Sequence, residues 1–283
     1  MNATRRAALR AFGGAVAVGA AGSVAYGRAT TGSDRDPAAM VAGSLLRVAD
    51  RLGGATVEAH GSAGVRRLLV EGARDPDTVA LADPRLFDGI AARATLFATN
   101  ALVLAYDPAS PAADALRRDW RAALTRDGIA IGRTDPDVDP LGYRTVMALR
   151  LAARDGGPDA DRVLDRSTAF RETDLLNVLE RGGVDAAFAY RNMAVERDLP
   201  YVTLPDRIDF SAPALGDVYA SVAYELPHTT VRGAPIRYAA TPLTPAGRPW
   251  VERLVTAGDL LADAGFHVPE AFPRRDVPVG GPR

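Results

Sequence analysis

The chain has 283 residues, 47% hydrophobic and 24% charged, which is enough to bury one large core or two lobes and too apolar for a disordered chain. It contains no cysteine, which excludes disulfides, and its formal charge of −1 excludes a basic footprint for nucleic acid. All 34 basic residues are Arg, a bias of composition that carries no functional reading.

The first element in chain order is a targeting segment. TRRAALR, residues 4–10, precedes a run from Ala11 to Tyr26 in which ten of sixteen residues are Gly or Ala, and a twin Arg ahead of a small-residue apolar stretch reads as a Tat export signal. The run is too short for a membrane span. Residues 1–28 hold four Arg and no acid, so the formal −1 becomes −5 without them. The expectation is a signal or anchor with its linker over residues 1–36, no lipid-modified cysteine, and a protein working outside the cytoplasmic membrane or anchored on its outer face.

From Asp36 onward short apolar strands alternate with amphipathic helices, without internal repeats. AAMVA (38–42), TVEAH (56–60) and TVALA (78–82) read as strands, followed by helices over SLLRVADRL, SAGVRRLLVEG and PRLFDGIAARA, and this order predicts a parallel, doubly wound sheet. ALVLAY (101–106) is apolar on both faces, as a buried strand is, and the DPASP loop after it is the expected crossing into a second lobe. That lobe is expected to hold a helix over 111–127, the strand IAIG, helices after Asp139 and Glu172, and the strands VDAAFAY, YVTLP and VYASVAYEL. PIRYAATPL (235–243) returns the chain, and WVERLVTAGDLLADAG (250–265) is an amphipathic helix with a Gly stop. The expected division is 37–104 plus 236–283 for one lobe and 105–235 for the other, with hinges near 105–108 and 235–241 and a cleft between.

Three helices open on a polar residue directly after a strand: Ser44 in AGSL, Ser62 in HGSAG and Asp139 in DPLGYRT. Ligands of open α/β sheets collect at strand carboxyl ends, where helix N-termini present free N–H groups, and the glycines before both serines permit close approach. Either serine alone also reads as an ordinary helix cap. Asp139 before Pro140 and Glu172 at the head of ETDLL are likewise good caps, and two acids beside an anion repel it by several kcal/mol, about 4 at an intermediate dielectric. Something must offset that repulsion.

AGSL, GSAG after a strand, TVALADPRLF, ATNALVLAYDPAS, DPLGYRT, RETDLL and FAYRNMA, in this order from about Met40 to Phe266, resemble the archaeal-type tungstate and molybdate-binding proteins, soluble receptors of ABC importers. The resemblance implies an α/β fold of the type II periplasmic-binding-protein kind, two doubly wound lobes around a ligand cleft. It implies that Ser44, Ser62 and Tyr190 donate hydrogen bonds to oxyanion oxygens, and that Asp139 and Glu172 bind the W or Mo centre directly, raising its coordination from four to six. A hard, oxygen-seeking metal then supplies the offset. The interval of 18 residues from Ser44 to Ser62, Val41 where His is frequent, and Asn192 where Ser is often found depart from the pattern, and His60 reads as a strand-end surface residue.

The expected function is capture of tungstate or molybdate for a membrane permease by a monomer with no cofactor besides its cargo. Sulfate or phosphate is the alternative ligand, set back because neither central atom accepts two more carboxylates. A secreted hydrolase using Asp139 and Glu172 as an acid/base pair is the remaining alternative, and no G-x-S-x-G, HExxH or phosphate loop accompanies it.

Overall fold

Alternating burial fixes the first sheet. Along β1, Ala38–Ala42, the side chains of Ala39 and Val41 enter one core and that of Met40 another, the pattern of a strand covered on both faces. The computed structural model describes residues 35–226 and 229–280, so the expected export segment lies outside the described residues apart from its last two positions. After β1 come a 3-10 turn at Gly43–Leu45 and α1, Leu46–Leu52; after β2, Thr56–His60, comes α2, Ser62–Val70; and after β3, Thr78–Leu81, a 3-10 turn at Pro84–Phe87 leads to β4, Arg93–Thr99.

The second lobe begins with β5, Leu102–Tyr106, α3, Ala113–Arg118, and α4, Trp120–Thr125. It continues through β6, Ile131–Thr134, α5, Pro140–Arg154, α6, Ala160–Arg166, β7, Ser167–Phe170, and α7, Glu172–Glu180. Then follow β8, Ala186–Tyr190, α8, Arg191–Val195, β9, Tyr201–Thr203, α9, Gly216–Ala220, and the hairpin of β10, Ala223–Leu226, with β11, Thr229–Arg232. The chain returns through β12, Arg237–Pro242, α10, Arg248–Thr256, α11, Gly258–Asp263, and β13, Arg274–Pro278.

Two main sheets result, ordered β13-β4-β12-β3-β1-β2 and β7-β6-β8-β5-β9. Neither is wholly parallel as expected. β1 pairs in parallel with β2 and β3, and β6 with β7 and β8, but β12, β4 and β13 add antiparallel strands to the first sheet and β5 and β9 to the second. The parallel triplets carry the site; the antiparallel strands carry the chain between lobes.

Several expectations are corrected. The helix over PRLFDGIAARA is a single 3-10 turn, because Gly89 takes φ +79° and residues from Arg93 pair with β12 and β13. β5 lies in the second sheet, against β8 and β9, so the first crossing is at Asn100–Ala101 and not at 105–108; apolarity on both faces announces a buried strand without saying which sheet buries it. VYASVAYEL is half helix, in α9, and half strand. The helix over 111–127 breaks at Asp119, whose extended backbone lets its carboxylate cap α4 through the amide of Ala122 at 3.1 Å, and the one over 250–265 breaks at Ala257. The return crossing falls at 233–236, immediately before β12.

Candidate ligand-binding site

Six parallel strands, three in each sheet, end at the same cleft, and a polar residue follows each one. Ser44 follows β1, Ser62 follows β2 and Asp83 follows β3; Asp139 comes after β6, Glu172 after β7, and Tyr190 closes β8. All six are buried, and the structure brings together all five residues expected from the sequence. Strand ends in open α/β sheets gather ligands for this topological reason.

Three hydroxyls are supported from behind. Ser62 Oγ accepts the amide of Ala82 at 3.1 Å, and Tyr190 accepts Nη1 of Arg144 at 2.6 Å. Ser44 Oγ lies 3.0 Å from the hydroxyl of Tyr238, which is 3.4 Å from Nδ2 of Asn100. Asn100 can only donate there, so the Tyr238 proton is available to Ser44. Ser62 and Tyr190 each receive a bond and keep a proton to give, and with Tyr238 as donor so does Ser44. That is a set of three donors for an oxygen-rich ligand.

The acids are arranged the opposite way. One oxygen of each is tied down: Asp139 Oδ1 accepts the amide of Leu141 at 3.1 Å, capping α5, and Glu172 Oε1 accepts the amide of Ser44 at 3.1 Å across the lobes. The other oxygens, Asp139 Oδ2 and Glu172 Oε2, are buried and make no hydrogen bond of good geometry, although the hydroxyl of Thr134 lies close enough to Asp139, and that of Ser44 to Glu172, to favour their charged forms. A buried carboxylate oxygen without a partner costs about 1–3 kcal/mol, so its retention marks a place for a ligand. Burial pushes Asp139 up to about 6, and burial together with the charge of Asp139 pushes Glu172 well above the ordinary carboxyl range.

The glycines before the serines make room for these acids. A Cβ on Gly43 would lie 2.5 Å from Glu172 Oε2, and one on Gly61 would lie 2.6 Å from the carbonyl of Val138 and 3.0 Å from Cβ of Asp139. Gly64 also donates its amide to Val138 across the cleft at 3.0 Å. The lobes are therefore shut on each other, with backbone against side chain at both serine turns.

Sequence reasoning missed a polar frame around these five residues. Arg144, the fifth residue of α5, is 1% exposed and donates to the carbonyl of Ala82 at 3.0 Å, to Tyr190, and to Asp83 Oδ2 at 3.3 Å. Tyr143 donates to Asp83 at 2.8 Å, and Arg85 pairs with it at 2.6 Å. Burial would raise Asp83, but Arg85 and Arg144 hold it well below the usual carboxylate range. Asn192, a departure in the sequence, donates to the carbonyl of Ser44 at 2.7 Å and accepts from Asn100 at 2.8 Å, so it buttresses the first serine turn. His60 pairs with Glu58 at 2.8 Å. An arginine inside an otherwise apolar helix face is the one signal that points to Arg144; a sequence whose every basic residue is Arg hides it.

Two mixed sheets on either side of a shut cleft lined by three hydroxyls and two half-satisfied acids define a two-lobed α/β protein of the type II periplasmic-binding-protein fold. Residues 54–266 match the model of the family described as bacterial extracellular solute-binding protein, and the chain belongs to that family. A Haloferax volcanii protein described as a putative ABC transporter molybdenum-binding protein is 46% identical, over 98% of this chain and 96% of its own. The molybdate/tungstate-binding protein WtpA of Thermococcus kodakarensis is 31% identical, over 67% of this chain and 63% of its own. Among solved structures, the Azotobacter vinelandii periplasmic molybdate-binding protein superposes with a TM-score of 0.58 at 14% identity, covering 82% of this chain and all of that one, a likeness of fold.

Proposed function

We propose that this protein captures tungstate or molybdate and delivers it to the permease of an ABC importer. The observation that carries the reading is the pair of buried carboxylates, each keeping one oxygen without a hydrogen bond of good geometry, opposite hydroxyls whose protons are free. A fully deprotonated oxyanion whose centre stays four-coordinate, such as sulfate, is repelled by those oxygens when the acids are ionised. A W(VI) or Mo(VI) centre takes them as ligands five and six, while Ser44, Ser62 and Tyr190 donate to its own oxygens. The names of the relatives support the same ligands.

The twin-Arg segment at residues 4–10 supports export by the Tat route and work outside the cytoplasmic membrane or anchored on its outer face. Calorimetry with tungstate, molybdate, sulfate and phosphate tests the ligand. Tungstate or molybdate heat that disappears in Asp139→Ala and Glu172→Ala is expected. Sulfate binding that survives both substitutions would overturn the reading.

A further inference from the structure

Arg144 is the only guanidinium that touches a ligand-facing hydroxyl among the described residues, and it reaches across the cleft to do more. It stands on α5 in the second lobe, while Ala82 and Asp83 follow β3 in the first. Its Nη1 binds both the carbonyl of Ala82 and the hydroxyl of Tyr190, and its Nη2 meets Asp83. Tyr143, one position earlier, donates to the same Asp83 oxygen. Two consecutive residues of the helix that Asp139 caps therefore close on one first-lobe carboxylate.

We infer that Arg144, paired across the cleft with Asp83, is a positioning residue that sets Tyr190 as a donor to the ligand only when the lobes are shut. The carbonyl of Ala82 and Asp83 fix the guanidinium from the far lobe, and the guanidinium fills a lone pair of the Tyr190 oxygen, leaving its proton one direction to go. With the lobes apart, Arg144 loses both first-lobe partners, turns toward water, and Tyr190 loses its support. Recognition by the second lobe is thereby tied to closure. Burial keeps Tyr190 protonated, as a donor must be. The inference takes its ligand from the oxyanion reading above.

The test separates clamp from ligand. Because the chain has no cysteine, Val70→Cys on the first lobe and Asp161→Cys on the second give two unique spin labels for an interlobe distance in the ligand-free protein. Asp83→Asn is expected to broaden that distance toward longer values. Stopped-flow release of tungstate is expected to be about tenfold or more faster in Asp83→Asn, as when one partner of a buried charge pair is removed. Arg144→Gln and Tyr190→Phe are expected to be non-additive in release rate, and Arg144→Gln with Asp83→Asn, which removes both charges of the interlobe pair and leaves only the part-exposed Arg85 without its carboxylate, covers the case in which a single variant fails to fold. An unchanged distance in Asp83→Asn, or release effects of Arg144 and Tyr190 that simply add, overturns the inference. If the wild type binds neither tungstate nor molybdate, the ligand reading falls and the distance measurement alone decides the clamp.

Discussion

Glu172 carries a cost in the ligand-free protein that its function explains. Its charged form is disfavoured by burial and by Asp139, and one of its oxygens makes no hydrogen bond of good geometry. Glu172→Gln removes the charge, keeps the shape and leaves an oxygen to accept the Ser44 amide. The ligand-free variant is expected to melt a few degrees higher at pH 8, about 1–2 kcal/mol, and to bind no tungstate, by thermal melting and calorimetry. A lower melting temperature would show that the charge is already satisfied. Glu196, just after α8, makes the same point away from the site. Burial pushes it up to about 7 from an ordinary 4.5, with Asn192 the donor to its Oε2 at 3.3 Å. A raised carboxyl means the folded chain binds more protons than the unfolded one between pH 4.5 and 7, so stability falls as pH rises through that window. Glu196→Gln is expected to flatten this slope in melts from pH 4.5 to 8.

At the scale of elements, Asp139 serves two purposes through its two oxygens, a cap for α5 and a free Oδ2. Asp139→Ser keeps the first and loses the second. It is expected to melt within about 1 kcal/mol of the wild type and to lose tungstate binding, whereas Asp139→Ala loses about 1 kcal/mol more. Gly43→Ala meets Glu172 Oε2 and is expected to weaken tungstate binding in calorimetry about tenfold or more by holding the lobes apart, with little change in the melting of the ligand-free protein. The placement of Ser44, Ser62, Asp139 and Glu172 at helix or turn starts after strands was legible from local pattern, whereas Tyr190 and every ligand role were expected only from the resemblance. Asp83, Asn100, Asn192 and Tyr238 were not legible, because their roles come from partners 60 to 194 positions away. The same limit explains residues 84–94. Leu86, Phe87 and Ile90 have helical spacing, yet Gly89 and the demand of β12 for a strand partner decide the local structure.

For the whole molecule, the chain passes between the two sheets at 100–101 and 233–236, the places where a hinge between the lobes is expected. Small-angle scattering is expected to show a larger radius of gyration for ligand-free Asp83→Asn than for the ligand-free wild type; equal radii would argue against a closure held by the interlobe contacts. The order of strands and helices announced two α/β lobes, but the boundary was displaced because β5 looks the same in either sheet. Only its pairing with β8 and β9 assigns it.

The site is split so that two of the three hydroxyl protons belong to the first lobe and both acids to the second. On the proposed reading, parting the lobes takes Ser44 and Ser62 away from the ligand and leaves it with Asp139, Glu172 and Tyr190 of the second lobe, so one opening motion removes two of the three hydroxyl donors at once.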